Sequence, residues 1–303
     1  MLLSLTACTT HETAPTGATR QVASVHGPIQ VPVLPERVVT LDSFTMGAAF
    51  DLGRLPVGVY SAGEQYVEPQ FVEQWRGITK ISRGEVGGAI DLEKVATLRP
   101  ELILGIDGSQ PPYEQLKQIA PTVVLPFSSS KTPWREMTTA TAAALGRTES
   151  LHGLEQRYAA RTSSIARTYV DVLARTRWDI VQGGFDQGQF WLYGPTSPIG
   201  GILADAGVQF ADASRSVEGG QQQSVSYELV GDLGTAEAVF YYATNAGKPA
   251  NLGEELFAQK TFTTLPATKS GHLYGSVYFL PNCYSDALGA LDALERALIS
   301  LRR

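Results

Sequence analysis

The stretch Asp91-Leu92-Glu93-Lys94-Val95-Ala96-Thr97-Leu98-Arg99-Pro100-Glu101-Leu102-Ile103-Leu104 contains a complete helix-to-strand unit. Asp91 is a capping residue, whose carboxylate can accept from N–H groups that a first helical turn leaves open. Glu93 places negative charge where the helix dipole is positive. Pro100 has no N–H to give and ends the helix. Leu102-Ile103-Leu104 follows without a polar break, the pattern of a strand buried on both faces. Such a strand belongs to an α/β layer with a largely parallel sheet.

The alternation extends in both directions. Upstream, Pro35-Glu36-Arg37-Val38-Val39-Thr40-Leu41 reads as a buried strand. Ser43 is expected to cap a helix over Phe44–Leu52, stopped by Gly53, and Pro56–Tyr60 to form a second strand. Downstream come a helix over Tyr113–Ala120 and a strand over Thr122–Leu125. The pattern then changes. Neither Gly nor Pro occurs from Leu154 to Arg177, while Leu151, Leu154, Tyr158, Ile165, Tyr169 and Val172 recur at three- and four-residue steps. This predicts one long helix over 148–176, roughly 37 Å at about 1.5 Å per residue for its central part. Strands then resume at Trp178–Gln182 and Gln189–Tyr193. Ser197-Pro198 opens a helix that ends at Gly207, and an amphipathic helix over Asp286–Leu301 closes the chain. Ser226, Glu228 and Val230 before Ala238-Val239-Phe240-Tyr241 echo Asp91, Glu93 and Val95 before Leu102-Ile103-Leu104, once on each side of the long helix. The expected fold is α/β: two lobes with mainly parallel sheets, joined by one long α-helix, with a cleft between them. The lobes are placed at 27–147 and 177–303.

Composition narrows the function. The chain has 303 residues, a net charge of −6 and no clustered basic face, so nucleic acid is not an expected partner. The four histidines, His11, His26, His152 and His272, lie far apart, and no His-x-His, His-Glu-x-x-His or Cys-x-x-Cys spacing occurs. No resident metal or cofactor is expected. Gly194-Pro195-Thr196-Ser197-Pro198-Ile199-Gly200-Gly201 has no phosphate-binding lysine, and no Gly-x-Ser-x-Gly elbow exists, so the chain is not expected to be an enzyme.

At the start, Leu5-Thr6-Ala7-Cys8 resembles a bacterial lipobox, which implies acylation of Cys8 and attachment to the outer face of the cell membrane. Only seven residues precede Cys8 and none is basic, so residues 1–8 read as a truncated signal. Residues 9–26 are small and polar, and read as a flexible tether. With Cys8 acylated, Cys283 is expected to be a lone buried thiol.

The ordered set of segments resembles the helical-backbone class of bacterial substrate-binding proteins, which deliver iron–siderophores, haem or vitamin B12 to ABC importers. The segments are those around Val38–Leu41, Pro56–Val59 and Asp91–Leu104, with Ala144-Leu145-Gly146-Arg147, Phe190-Trp191-Leu192-Tyr193-Gly194-Pro195-Thr196-Ser197 and Ser226-Tyr227-Glu228-Leu229. The likeness covers roughly 27–303. It implies a monomer whose ligand binds between the lobes, with a ferric hydroxamate siderophore as the ligand. Iron then arrives as part of that ligand, and haem, cobalamin or an envelope scaffold role are the alternatives.

The resemblance also implies site residues. Arg83, shortly before the Asp91 helix, would hydrogen-bond hydroxamate oxygens through its planar fork. Trp191 and Tyr278 are the main cleft aromatics, with Arg215 a second cation and Phe185, Tyr66 and Tyr241 further candidates. Strand alternation puts Trp191 and Tyr193 on one face and Phe190 and Leu192 on the other; core packing is the competing reading of Trp191. Glu93 and Glu228 would meet arginines on a two-subunit permease driven by an ATPase. Two loops depart from the family pattern by lacking an aromatic, Ile106–Gln110 and Gln221-Gln222-Gln223.

Overall fold

Residues 17–60, 64, 67, 69–82 and 89–302 are described by the computed structural model. Within the stretch expected as a tether, 9–26, a strand runs over Thr19–Val22. Strands β1 (Thr19–Val22) and β2 (Ile29–Pro32) form an antiparallel hairpin. Arg20 Nη2 donates to the carbonyl of Ala144 at 2.9 Å and pins the hairpin to the first lobe. Main-chain pairing supports this hairpin more than side-chain burial does, so its sequence carries little apolar pattern.

The first lobe is built on β3 (Val38–Thr40), β4 (Gly58–Val59), β5 (Thr79–Lys80), β6 (Leu102–Ile106) and β7 (Thr122–Leu125). All run parallel, in the spatial order β5-β4-β3-β6-β7. β3 and β6 are buried throughout, which explains their unbroken apolar runs. The helices are α1 (Ser43–Asp51), α2 (Val72–Arg76), α3 (Leu92–Thr97), α4 (Tyr113–Leu116) and α5 (Pro133–Leu145). Asp91 caps α3 as expected, accepting from Lys94 N at 3.1 Å. The cap of α1 is Asp42 rather than Ser43: its carboxylate accepts from Thr45 N at 2.8 Å and Thr45 Oγ1 at 3.0 Å. A carboxylate can serve both donors at once, and Ser43 is left inside the first turn. Helix α5 has no counterpart in the sequence reading, although Pro133 at its start and Gly146 at its end mark it.

The long connector is two helices, α6 (Thr148–Thr168) and α7 (Val170–Arg175), because Tyr169 leaves helical geometry at φ −116°, ψ 24°. Thr168-Tyr169-Val170 joins β-branched and aromatic residues, which lose side-chain freedom in a helix. The departure accompanies a buried Tyr169 ring whose hydroxyl reaches Glu295 Oε1 at 3.2 Å. Tyr169 N to Ile165 O and Leu173 N to Tyr169 O keep the hydrogen bonds running across the break.

In the second lobe β8 (Arg177–Gly183), β9 (Gln189–Tyr193), β10 (Gln209–Phe210), β11 (Gln222–Ser226), β12 (Ala238–Tyr242) and β13 (Leu273–Ser276) form one sheet. Its order is β11-β9-β8-β12-β13, with β10 beside the start of β8. Strands β8, β10, β12 and β13 are parallel; β9 is antiparallel to β8, and β11 is antiparallel to β9. Helices α8 (Pro198–Asp205), α9 (Asp212–Arg215), α10 (Gly253–Ala258), α11 (Lys260–Thr264) and α12 (Pro266–Lys269) surround it. The last helix, α13 (Tyr284–Leu301), returns to the first lobe: Ser285 N donates to Asp51 at 2.8 Å and Gln70 Nε2 to Asp286 at 2.9 Å. Cys283, just before it, is buried against Gly47 of α1.

One apolar core runs through both lobes, from Val38 and Leu104 to Ile180 and Phe240. At its middle the rings of Trp134 (α5), Tyr158 (α6) and Tyr284 (α13) lie 5.0–6.0 Å apart. Gly146, at φ 67°, ends α5 where a Cβ would stand 2.3 Å from the carbonyl of Val33. Gly146→Ala should therefore lower stability by about 1–3 kcal/mol in denaturant unfolding. Gly153→Ala, in α6 with open space around its Cβ position, should be neutral or stabilising. Equal effects of the two would contradict this account.

Candidate functional site

The strand order of the first lobe reverses between β3 and β6. The chain leaves β3 toward one side and β6 toward the other, and a crevice opens beyond their carboxyl ends. A cavity of about 640 Å³ occupies it, lined by Leu41, Asp42, Ser43, Tyr60, Ile90 and Gln110. A second, of about 280 Å³, is shared by the lobes: Phe44 comes from the first, and Tyr193, Gln222, Phe279, Leu280 and Asn282 from the second. Between the two, Ser43 Oγ donates to Asn282 Oδ1 at 3.1 Å. Pro198 belongs to the second cavity and also to a third of about 490 Å³, where Lys131, Trp134 and Arg135 face Thr196 and Gln221. The three form a seam between the lobes, walled mostly by rings, aliphatic groups and neutral amides, with Asp42 in the first cavity and Lys131, Arg135 and Asp205 in the third.

Each polar group there has a physical setting. Asp42 is buried, and burial pushes its carboxyl up to about 6 despite the hydrogen bonds from Thr45. The Tyr193 hydroxyl donates to Gln182 Oε1 at 2.6 Å, and burial pushes the phenol up, so it stays neutral. Arg135 pairs with Asp205 and lies over the rings of Trp134 and Tyr158, 4.7 and 4.8 Å from their centroids. Tyr158 Oη also donates to Asp205, at 2.8 Å. This cluster joins α5, α6 and α8, with Arg135 and Asp205 in the wall of the third cavity.

The residues singled out from the sequence are not gathered at this seam. Cys8, Tyr66 and Arg83 lie outside the described residues. Trp191 is half-buried against the main core, between Gln182 and Ser224 on the flanking strands, and Tyr193 from the same face lines the cleft instead. The Tyr278 ring lies on Gly289 of α13, where a Cβ would stand 2.5 Å from it. Arg215 is held by Asp212 at 2.6 Å on α9. Tyr241 belongs to the opposite side of the second sheet, edge-on to Phe257 at 5.0 Å. Phe185 stands 70% exposed in the β8–β9 turn. None of these five lines the three cavities. Glu93 and Glu228 are both exposed in first turns; the second is a 3-10 helix over Tyr227–Thr235, capped by Ser226.

Phe44, Leu280 and Asn282 line the seam without having stood out in the sequence. Tyr193 had its signal, the strand alternation it shares with Trp191, and Gln222 sits in the glutamine run noted there. Among the described residues no group of three or more His, Cys, Asp or Glu side chains could hold a metal ion. No helix among them is long and apolar enough to cross a membrane.

A family model described as periplasmic binding protein matches residues 38–276, from the first residue of β3 to the last of β13. The chain belongs to the periplasmic binding protein family. Its members are binding proteins rather than enzymes. YhfQ of Bacillus subtilis, assigned as an ABC transporter substrate-binding lipoprotein, is 24% identical over 100% of this chain and 97% of its own length. The iron(3+)-hydroxamate-binding protein YxeB of Bacillus subtilis is 21% identical over 84% of this chain and 77% of its own. Among solved structures, the siderophore periplasmic binding protein from the fuscachelin gene cluster of Thermobifida fusca has a TM-score of 0.76 and 27% identity, covering 88% of this chain and 97% of that one.

Asp42 gives this site a pH signature. Burial raises it, and likewise Asp179, from an ordinary 3.8 to about 6. Between these values the native state holds protons that the unfolded chain has released. The cost of the buried charge is thus full above about pH 6 and fades as the pH falls toward 3.8. Asp42→Asn keeps an oxygen for Thr45 N–H and removes one titrating group. Its unfolding free energy should change less between about pH 7 and pH 5 than that of the wild type. Parallel pH curves would show that Asp42 does not titrate in this range.

Proposed function

We propose that this chain captures a ferric siderophore of the hydroxamate type between its lobes and hands it to the permease of an ABC importer. The observation that carries the reading is the seam of cavities at the carboxyl ends of β3 and β6, closed by Tyr193, Gln222, Phe279 and Asn282 from the other lobe. Mostly ring and aliphatic walls, with amides and the cations Lys131 and Arg135 at the third cavity, suit a bulky organic chelate whose iron is already wrapped. The amides of Gln110, Gln222 and Asn282 offer donors to chelate carbonyl oxygens. The named relatives support the same class.

Arg83 is proposed as the cationic contact to the hydroxamate oxygens. Its described neighbours support this: Ser82 bridges to Ile90, and Ala89 and Ile90 line the first cavity. Glu93 and Glu228 are proposed to dock the two lobes onto the permease, and Cys8 to carry the acyl anchor. Both glutamates being exposed supports the first of these.

Quenching of intrinsic fluorescence, with Trp134 in the wall of the third cavity as a reporter, tests the ligand class. Ferric hydroxamates should quench saturably in a panel with ferric catecholates, haem and cobalamin. Saturation by haem or cobalamin alone would overturn the reading. Arg83→Ala should weaken the hydroxamate by about 1.5–3 kcal/mol, the scale of a hydrogen bond to a charged group. That is roughly 10- to 150-fold in Kd. Arg83→Lys should recover part of it, since an ammonium lacks the fork. Wild-type affinity in the alanine variant would remove Arg83 from the site.

A further inference from the structure

Among the described residues Phe185 is the most exposed large apolar side chain, at 70%, and it stands in the β8–β9 turn, away from the cavities. The turn is held on both sides. Tyr227 N donates to Gly188 O at 2.8 Å, and Leu252 N to Gly184 O at 3.1 Å. Gln189 and Ser226 pair directly across the adjoining strands, and the rings of Phe190 and Tyr227 stack beneath at 6.5 Å. A fixed turn therefore holds Phe185 beside the segment Tyr227-Glu228-Leu229, where Leu229 is a second large apolar side chain, 51% exposed. An aromatic ring on a braced turn costs little further ordering when it is covered.

The surroundings are acidic. The turn contributes Asp186, the 3-10 helix Glu228 and Asp232, and the first turn of α10 Glu254 and Glu255, all exposed. The cations beside these elements are Lys248, held by Glu254 at 3.1 Å, Arg215 of α9, held by Asp212 at 2.6 Å, and Lys260 of α11 and Lys269 of α12. An acidic rim is repelled by anionic lipid headgroups. It attracts a protein surface carrying Arg or Lys.

We infer that Phe185 and Leu229 are the apolar contacts of a docking surface around Glu228, which seats on a membrane protein presenting an apolar socket among basic side chains. This rests on the reading of Glu228 as a docking carboxylate and assigns the surface its desolvated contacts. In this arrangement the aromatic anchor holds the complex, and the acids guide encounter.

The test uses the full chain with Cys8→Ser, so that no acyl chain anchors it, and membrane vesicles from the native host. Saturable binding is expected, lost after protease treatment of the vesicles and weakened by salt. Phe185→Ser with Leu229→Ser should weaken it by at least about tenfold, and Phe185→Leu with Leu229 retained should keep most of it. Unchanged binding by the double variant, or no binding by the parent, overturns the inference. So does binding that survives protease and transfers to vesicles of extracted host lipid, which would assign the patch to lipid. Fluorescence titration with a ferric hydroxamate runs in parallel. Normal quenching with no vesicle binding sinks the docking surface alone; absent quenching with Phe185-dependent vesicle binding sinks the ligand reading alone. A parallel loss of quenching in the double variant would return Phe185 to the ligand site and also overturn the inference.

Discussion

The packing of Trp134, Tyr158 and Tyr284 against one another is the joint on which the molecule depends. Neither sheet is wide, and each needs cover from helices that also serve the other lobe. Helix α5 comes from the first lobe, α6 crosses between them, and α13 belongs to the second but is tied at its start to Asp51 and Gln70 of the first. Three rings at 5.0–6.0 Å make these helices one unit. Aromatic pairs of this kind contribute about 0.5–1.5 kcal/mol each beyond the area they bury. The cleft lies over this joint, so its two walls are positioned by a shared core rather than by a loose linker.

Polar contacts lie at the edges of that joint. Arg135 with Asp205 and Tyr158 sits at the wall of the third cavity, and Ser43 with Asn282 sits between the first two. Both join residues of opposite lobes. Exchange of such hydrogen bonds with water leaves a net contribution of only about 1 kcal/mol for a neutral pair. The Ser43–Asn282 contact can therefore open for a ligand far more cheaply than the aromatic joint beneath it.

Much of this fold is legible in the sequence where backbone and burial speak through residue type. Asp91, Pro100, Ser197 and Gly207 mark helix ends, and Val38–Thr40 and Leu102–Leu104 mark central strands, because caps and double-sided burial constrain composition locally. Where tertiary packing decides, the sequence is quieter. Tyr169 breaks the connector with no Gly or Pro, at a position where its ring is buried and its hydroxyl meets Glu295. The hairpin of Thr19–Val22 depends on pairing with Ile29–Pro32 and on Arg20 reaching Ala144. At the cleft, residue type identifies aromatics but not which way they face. Trp191 and Tyr278 fit the expected type, yet the first packs on the core and the second on Gly289. Tyr193 and Phe44 reach the seam because of where β9 ends and α1 begins.

Cys283 carries a consequence for chemistry outside the fold. Its sulfur is sealed between the lobes, against Gly47 of α1 and at the threshold of α13. An exported protein meets oxidants, and a thiol reacts only as fast as its thiolate is reached. Burial here shields the sulfur from mixed-disulfide formation as long as the two lobes stay closed over it. The same burial makes it a built-in clock: the rate at which an alkylating reagent consumes Cys283 counts how often this junction opens.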